Sequence, residues 1–129
     1  MDIYPTLCEL AGLPLPPHLQ GSSLARLLDD PAAGIGDAAF QVYPRHVPGK
    51  GQVLGQAIRT TRYRYVEWRA ADQSVVAREL YDYQTDAGET VNLADKPERA
   101  ATVTELAARL QARLSAPPPA GVTLLPPDD

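Results

Sequence analysis

Few side chains in this sequence are of a type that could carry chemistry, and their spacing limits what that chemistry is. Cys8 is the only thiol, and His18 and His46 are the only imidazoles. A reactive cysteine needs an electropositive, accessible setting. Cys8 sits between Leu7 and Glu9 beside an apolar helix stripe, so it reads as an inert, partly buried cysteine. The histidines lie far apart and have no metal-ligand spacing. Asp82, Asp86 and Glu89 are spaced carboxylates, but they lack the dense oxygen pattern of a calcium loop and read as a solvated turn. No Ser–His–Asp or Cys–His set follows from spacing.

Cations are concentrated in one stretch. From Tyr43 to Arg69 the chain carries Arg45, Lys50, Arg59, Arg62, Arg64 and Arg69 against Glu67 alone. That is a local charge of +5, which leaves −9 for the remainder of a chain whose net charge is −4. Tyr43, Tyr63, Tyr65 and Trp68 interleave these cations. One reading is base stacking on a sheet. The plainer reading is an exposed sheet face with arginines between packed aromatics. A narrower reading puts Arg45, His46 and Lys50 on one Pro/Gly loop that presents cations to an anionic substrate.

Composition closes off other classes. The 129 residues fit one domain. A single cysteine excludes an internal disulfide framework and a Cys-based zinc cluster. No apolar run approaches the ~20 residues of a membrane span. Residues 1–5 do not resemble a signal peptide. The overall acidity argues against general nucleic-acid binding. Thirteen prolines, about twice the usual share, cut the chain into short elements.

Those elements have to position the candidate residues. Asp2 to Gly12 reads as a helix capped by Asp2 and closed by Gly12, with Ile3, Leu7, Leu10 and Ala11 on one apolar face. Leu24 to Leu28 is a short helix after Gly21-Ser22-Ser23. Ala39 to Tyr43 is a short strand ended by Pro44, followed by a loop from Arg45 to Gly51. Gln56–Thr60, Tyr63–Arg69, Val75–Ala77 and Glu79–Asp82 continue as an antiparallel meander. Asp95 and Glu98 form a capping box for a last helix whose apolar stripe is Val103, Leu106, Leu110 and Leu114. The expected fold class is α+β: a small antiparallel sheet of about four strands covered by a C-terminal helix. Residues 116–129 read as a disordered Pro-rich tail.

The order of these segments resembles the C-terminal part of the type I sulfatases. Asp2-Ile3-Tyr4-Pro5-Thr6-Leu7 with Leu10-Ala11-Gly12 is similar to their "D-I-x-P-T-L-x-x-L-A-G" helix. Gly21-Ser22-Ser23-Leu24 with Leu27-Leu28 resembles the "G-x-S-L-x-x-L-L" that follows. Arg59-Thr60 with Tyr63-Arg64-Tyr65 resembles their "R-T-x-x-Y-R-Y" hairpin. Glu79-Leu80-Tyr81-Asp82 with Asp86, Glu89 and Asn92-Leu93 resembles the closing "E-L-Y-D-x-x-x-D-P-x-E-x-x-N-L", with Ala87 in place of the usual proline. Gln41-Val42-Tyr43-Pro44-Arg45 points to the iduronate-2-sulfatase-like branch.

The resemblance implies an alkaline phosphatase-like enzyme that cleaves sulfate esters with a formylglycine and a divalent cation such as calcium. Neither is supplied here. Cys8 has Leu10 at +2 and Gly12 at +4, which is not the C-x-P/A-x-R of the modified cysteine, and Asp29-Asp30 is not the metal-binding pair. Residues 1–38 are then expected to be the edge of a large α/β domain, 39–115 the sheet-and-helix subdomain and 116–129 the tail. The implied partners are the N-terminal sulfatase domain and a sulfated anionic sugar, with Arg45, His46 and Lys50 as candidate substrate contacts. Alone, the chain is expected to be catalytically inert and poorly stable. A free-standing module for anionic glycan or RNA, and a non-catalytic subunit of a split sulfatase, are the rival readings. No compartment follows.

Overall fold

The computed structural model describes residues 1–34, 36–49 and 51–117. The chain forms two compact units, and residues 1–34 and Gly36–Ala116 are taken in turn.

In the first unit, α1 spans Ile3–Leu10 and α2 spans Arg26–Asp29. Gly12 has φ +67°. The Leu13 N–H donates to the Cys8 carbonyl at 2.8 Å and the Gly12 N–H to Glu9 at 3.0 Å. That is the Schellman closure expected of Gly12. Asp2 departs from expectation. Its side chain makes no cap bond within α1 and instead accepts the Ser22 N–H at 2.9 Å. The hydroxyl of Thr6 likewise accepts the Leu24 N–H at 2.9 Å. These bonds lay the 21–25 segment along α1. A Cβ on Gly21 would stand 2.2 Å from the Met1 carbonyl oxygen, so this crossing admits only glycine. Cys8 and Pro5 are buried, whereas Ile3, Leu7 and Leu10 are more than half exposed.

In the second unit, β1 (Ala38–Val47), β2 (Gly51–Thr60), β3 (Tyr63–Arg69) and β4 (Val75–Asp82) form one antiparallel sheet in the order β1-β2-β3-β4. A 3-10 turn, Pro97–Arg99, leads into α3, Ala100–Leu114. The expected sheet and covering helix are both present. The first hairpin is longer than expected. Pro44 does not end β1, which runs on to Val47 in register with Gly51, and β2 begins at Gly51 rather than Gln56. β1 is an edge strand, where a proline is tolerated. Positive φ at Gly49 and Gly51 lets the chain reverse. The expected capping box also does not form. Pro97 starts a 3-10 turn, and no side chain caps it or α3. Of the tail expected over 116–129, residues 118–129 lie outside the described residues.

The core of this unit is Ile58, Tyr65, Leu80, Leu106 and Leu110, all essentially without exposure. Alternation along the strands places Ile58, Tyr65 and Leu80 on the face that α3 covers. Leu106 and Leu110, one helical turn apart, fill it from above. Asn92 extends the frame. Its Oδ1 accepts the N–H groups of Leu80 (3.0 Å) and Ala94 (2.9 Å), and its Nδ2 donates to the Arg78 carbonyl. The segment after β4 is thereby pinned along the free edge of that strand.

Two outcomes follow. Leu110→Ala should lower the stability of the sheet unit by about 2–5 kcal/mol, read as a lower urea midpoint of Trp68 fluorescence; an unchanged midpoint would contradict this core. The chain should self-associate with rising concentration in analytical ultracentrifugation, because Leu7 and Leu10 expose an apolar face, and placing lysine at both should abolish that association. Association that persists in the double variant would assign it elsewhere.

Candidate functional site

The cations of the Tyr43–Arg69 stretch do not form a common positive surface. Arg62, from the β2–β3 turn, holds the carboxylate of Asp82 in a fork, Nε to Oδ1 at 3.0 Å and Nη2 to Oδ2 at 2.8 Å. Arg99 adds a contact at 3.3 Å. Asp82 is fully buried, and the Arg62 hydrogen bonds hold its carboxyl below the ordinary range. Arg69 pairs with Glu67, which is also buried and further receives Tyr65 Oη at 2.8 Å and Gln111 Nε2 at 3.2 Å. Burial, and then the bond to Glu67, pushes the Tyr65 hydroxyl up to about 12. Arg64 pairs with Glu89, which also accepts the Tyr83 hydroxyl. The Arg59 guanidinium lies over the Tyr83 ring at 3.5 Å. The acids that balance this stretch come from β3 itself and from the segment 82–89.

Arg45, like Arg59, has no carboxylate partner among the described residues, and its guanidinium lies over the Trp68 ring, 5.3 Å from the centroid. Strand alternation puts Arg45 on the sheet face opposite α3, with Gln41 and Tyr43 on the same strand. Tyr43, Gly55, Trp68 and Ala77 form one row across all four strands. A Cβ on Gly55 would come within 2.7 Å of the indole, so the ring rests directly on that glycine. At its edge, Trp68 Nε1 donates to Glu79 Oε1 at 2.7 Å, and the Tyr81 hydroxyl donates to Oε2 at 3.2 Å.

Two cavities flank the indole. One, about 210 Å³, is bounded by Arg45, Val53, Trp68 and Glu79; the other, about 230 Å³, by Gln41, Tyr43, Gly55, Arg64 and Trp68. A larger cleft of about 470 Å³ lies between the β2–β3 turn and α3, but its arginines are already committed, Arg62 to Asp82 and Arg109 to Asp37 at 2.7 Å.

Of the three candidate contacts, two lie among the described residues, and those two do not share a face of the sheet. Arg45 and His46 are strand residues, not loop residues, and as neighbours on β1 they face opposite sides of the sheet. Lys50 lies outside the described residues. The sequence singles out Trp68 only as one of four aromatics between the cations, and it does not single out Gly55 or Glu79 as site residues. Their juxtaposition depends on the β2–β3 and β3–β4 registers, and that of Arg45 on the longer first hairpin.

The described residues do not fit the metal or the formylglycine that a sulfatase resemblance implies. None of them form a group of three or more His, Cys, Asp or Glu side chains able to hold a metal ion. Asp30 is occupied in accepting the Ala32 N–H at 3.0 Å, and Cys8 is buried in α1. The arrangement around Trp68 can bind and orient, and it presents no activated nucleophile. No described helix is long and apolar enough to cross a membrane.

This fold and surface can be set beside known proteins. The family model described as "N-sulphoglucosamine sulphohydrolase, C-terminal" matches residues 1–116. Rat "Arylsulfatase K" is 32% identical over 102 residues, covering 73% of this chain and 17% of that protein. The "Delta 4,5-hexuronate-2-O-sulfatase" of Bacteroides thetaiotaomicron is 32% identical over 104 residues, covering 76% of this chain and 20% of its own length. A solved structure described as a "2-O GAG sulfatase" superimposes with TM-score 0.72 at 29% identity, covering 88% of this chain and 24% of that one. The chain belongs to the N-sulphoglucosamine sulphohydrolase C-terminal family, a C-terminal sulfatase domain of the alkaline phosphatase-like superfamily. It spans about a fifth of the length of the curated relatives it matches.

The depressed Asp82 carboxyl makes stability acid-sensitive in a defined direction. The native state binds this proton more weakly than the unfolded chain, where an aspartate titrates near ~3.9. The stabilisation is therefore complete above that value and is lost as the pH falls through the lower native one. Asp72 and Asp86 are shifted the same way, by bonds from Ser74 and from the Val91 N–H respectively. Asp82→Asn should cost about 3 kcal/mol at neutral pH, the low end for breaking a buried pair because Arg62 is 43% exposed. It should also flatten part of the fall in urea midpoint between about pH 5 and pH 2. A variant with the wild-type pH slope would exclude Asp82 as a source.

Proposed function

We propose that this chain is the C-terminal part of a sulfatase that hydrolyses a sulfate ester on an acidic sugar, and that the ester is the 2-O-sulfate of a hexuronate, as in the iduronate-2-sulfatase-like branch. The observation that carries this reading is the agreement of two relatives. The hexuronate-2-O-sulfatase and the 2-O GAG sulfatase, both named for the 2-O position, match across most of the chain at 32% and 29% identity. The Gln41–Arg45 segment supports it from the sequence side. In this reading the N-terminal sulfatase domain supplies the formylglycine and the divalent cation, and this chain completes the fold and the rim of the substrate pocket.

Arg45, His46 and Lys50 are the residues proposed to meet the anionic sugar. Geometry favours Arg45, which carries an exposed guanidinium without a carboxylate partner among the described residues. The rival of a free-standing RNA module is less favoured, because Arg62, Arg64 and Arg69 are paired within the chain.

The test compares this chain with a longer protein carrying it as the C-terminal fifth. Each is given a 2-O-sulfated uronate disaccharide and, separately, a 6-O-sulfated glucosamine disaccharide, and sulfate release is measured. The expected result is release from the 2-O-sulfated substrate by the longer protein and none by the chain alone. Release only from the glucosamine substrate would overturn the assigned position, and turnover by the chain alone would overturn its non-catalytic role.

A further inference from the structure

The two edges of the sheet are finished differently. At β4 the chain closes the edge itself. The Leu93 N–H donates to the Leu80 carbonyl at 2.8 Å, and Asn92 Oδ1 accepts the Leu80 N–H at 3.0 Å. At β1 nothing comparable occurs among the described residues. This strand pairs only with β2, and its residues 39–46 are all exposed.

Pro44 decides which backbone groups of β1 are free. In an antiparallel ladder each residue turns its N–H and C=O toward the same neighbour, and alternate residues turn opposite ways. A proline nitrogen is tolerated only on the outer side of an edge strand. The residues in step with Pro44 therefore face outward. Phe40, Val42 and His46 present N–H groups, and Phe40, Val42 and Pro44 present carbonyls. None of these groups takes a further backbone bond among the described residues. Open edges are normally blunted by charge, proline, a bulge or shortness. From Ala38 to Tyr43 the strand has no charge and no proline, and its register with β2 is unbroken.

The same residues turn their side chains to the α3 side, because Phe40 pairs with the core residue Ile58. Phe40 and Val42 are nonetheless 37% and 51% exposed, and Leu114 at the end of α3 is 38% exposed. The Arg113 guanidinium lies 5.9 Å from the centroid of the Phe40 ring and enters no ion pair among the described residues. The edge thus combines a row of free backbone groups, an apolar strip and one cation beside it.

These features select an occupant. Free N–H and C=O groups in a row are matched by an extended strand added to the sheet. The apolar strip takes apolar side chains at alternate positions of that strand, and Arg113 takes a carboxylate. A second copy fits less well. Two-fold pairing of Ala38–Tyr43 with itself would set both α3 helices on one face and turn the two Arg113 side chains toward each other, where like charges repel.

We propose that the outer edge of β1 is a docking site for an extended acidic strand of another protein, which adds to the sheet beside Phe40 and Val42 and places a carboxylate on Arg113. It lies on the α3 side of the strand, opposite Arg45, and does not depend on the function proposed above.

The test is an NMR titration of the isotope-labelled 129-residue chain. The probe is a blocked peptide of about six residues, an ordinary strand length, alternating valine and threonine around one glutamate. A second peptide has lysine in place of glutamate, and a third has N-methylated valines. The expected result is saturable shifts of the Phe40, Val42 and His46 amides with a millimolar or tighter Kd. The Gln41 and Tyr43 amides, already turned to β2, should move less. The glutamate peptide should bind about threefold more tightly than the lysine peptide, the scale of one exposed ion pair, and Arg113→Ala should remove that difference. Val42→Pro should abolish binding while leaving the Trp68 emission unchanged, because the Val42 N–H takes no part in the ladder to β2. The N-methylated peptide tests the same backbone bonds without altering the protein, and it should not bind.

Absence of saturable shifts at millimolar peptide would overturn the site. So would equal shifts at the odd and even positions, or binding by the N-methylated peptide. Equal affinity for the lysine peptide would overturn the acidic assignment. Slow hydrogen exchange at Phe40 and Val42 without peptide would show the edge already closed, by the chain itself or, where it appears only at high concentration, by a second copy, and either result overturns the proposal. The same slow exchange seen only in a longer protein carrying this chain would give the edge to that protein's own N-terminal part and overturn it equally.

Discussion

The sheet unit depends on what is done with one buried charge. Asp82 ends β4 with no exposed surface, and an isolated carboxylate there would be prohibitively costly. It is tolerated because Arg62 reaches it from the β2–β3 turn, Arg99 from the 3-10 turn before α3, and the Gln84 N–H from the chain just beyond. These groups come from three separate parts of the chain. Closing the contact therefore fixes the end of β4, the turn between β2 and β3, and the approach of α3 together. The gain from such a pair is small next to the cost of breaking it. Its effect is to penalise every arrangement in which one of these elements is out of place.

Glu67 repeats the device at the other end of the same face. It lies under α3, where Tyr65, Arg69 and Gln111 meet its two oxygens. The two buried acids explain why a stretch that counts as +5 in the sequence is not a cationic surface in the structure. Arg62 and Arg69 are turned to the buried acids Asp82 and Glu67, and Arg64 to Glu89 at the start of the next loop. Arg45, on the edge strand, makes no ion pair among the described residues, although Glu79 lines the same cavity.

Local patterns in the sequence carried the elements well where they depend on neighbours in the chain. The closure of α1 at Gly12 follows from glycine's access to positive φ, and the Leu106–Leu110 stripe from helical spacing. The aromatic and β-branched run Tyr63–Arg69 gave a strand at its observed bounds. Legibility failed where a distant partner decides the outcome. Pro44 breaks an internal strand, but whether β1 is internal or at an edge is a property of the sheet. Asp95 and Glu98 have the spacing of a capping box, yet Pro97 begins a 3-10 turn there. The site was legible only as Arg45. Gly55, Trp68 and Glu79 sit on β2, β3 and β4, and a register error in the first hairpin would separate Arg45 from all three.

The two faces of the sheet consequently answer to different constraints. On the α3 face, large side chains and buried acids must all be satisfied at once, and substitutions there act through stability. On the opposite face the Tyr43–Gly55–Trp68–Ala77 row alternates ring and small residue, and a ring laid on glycine leaves space beside it rather than filling it. A core would have closed those hollows with aliphatic side chains, because unfilled volume forfeits contact energy. Glu79 sharpens the contrast. A carboxylate that served only to satisfy the indole N–H could be replaced by a neutral acceptor such as glutamine at little cost to the fold, since one hydrogen bond is all that atom needs. Glu79 instead takes two donors, Trp68 Nε1 and the Tyr81 hydroxyl, and lines one of the hollows together with Arg45.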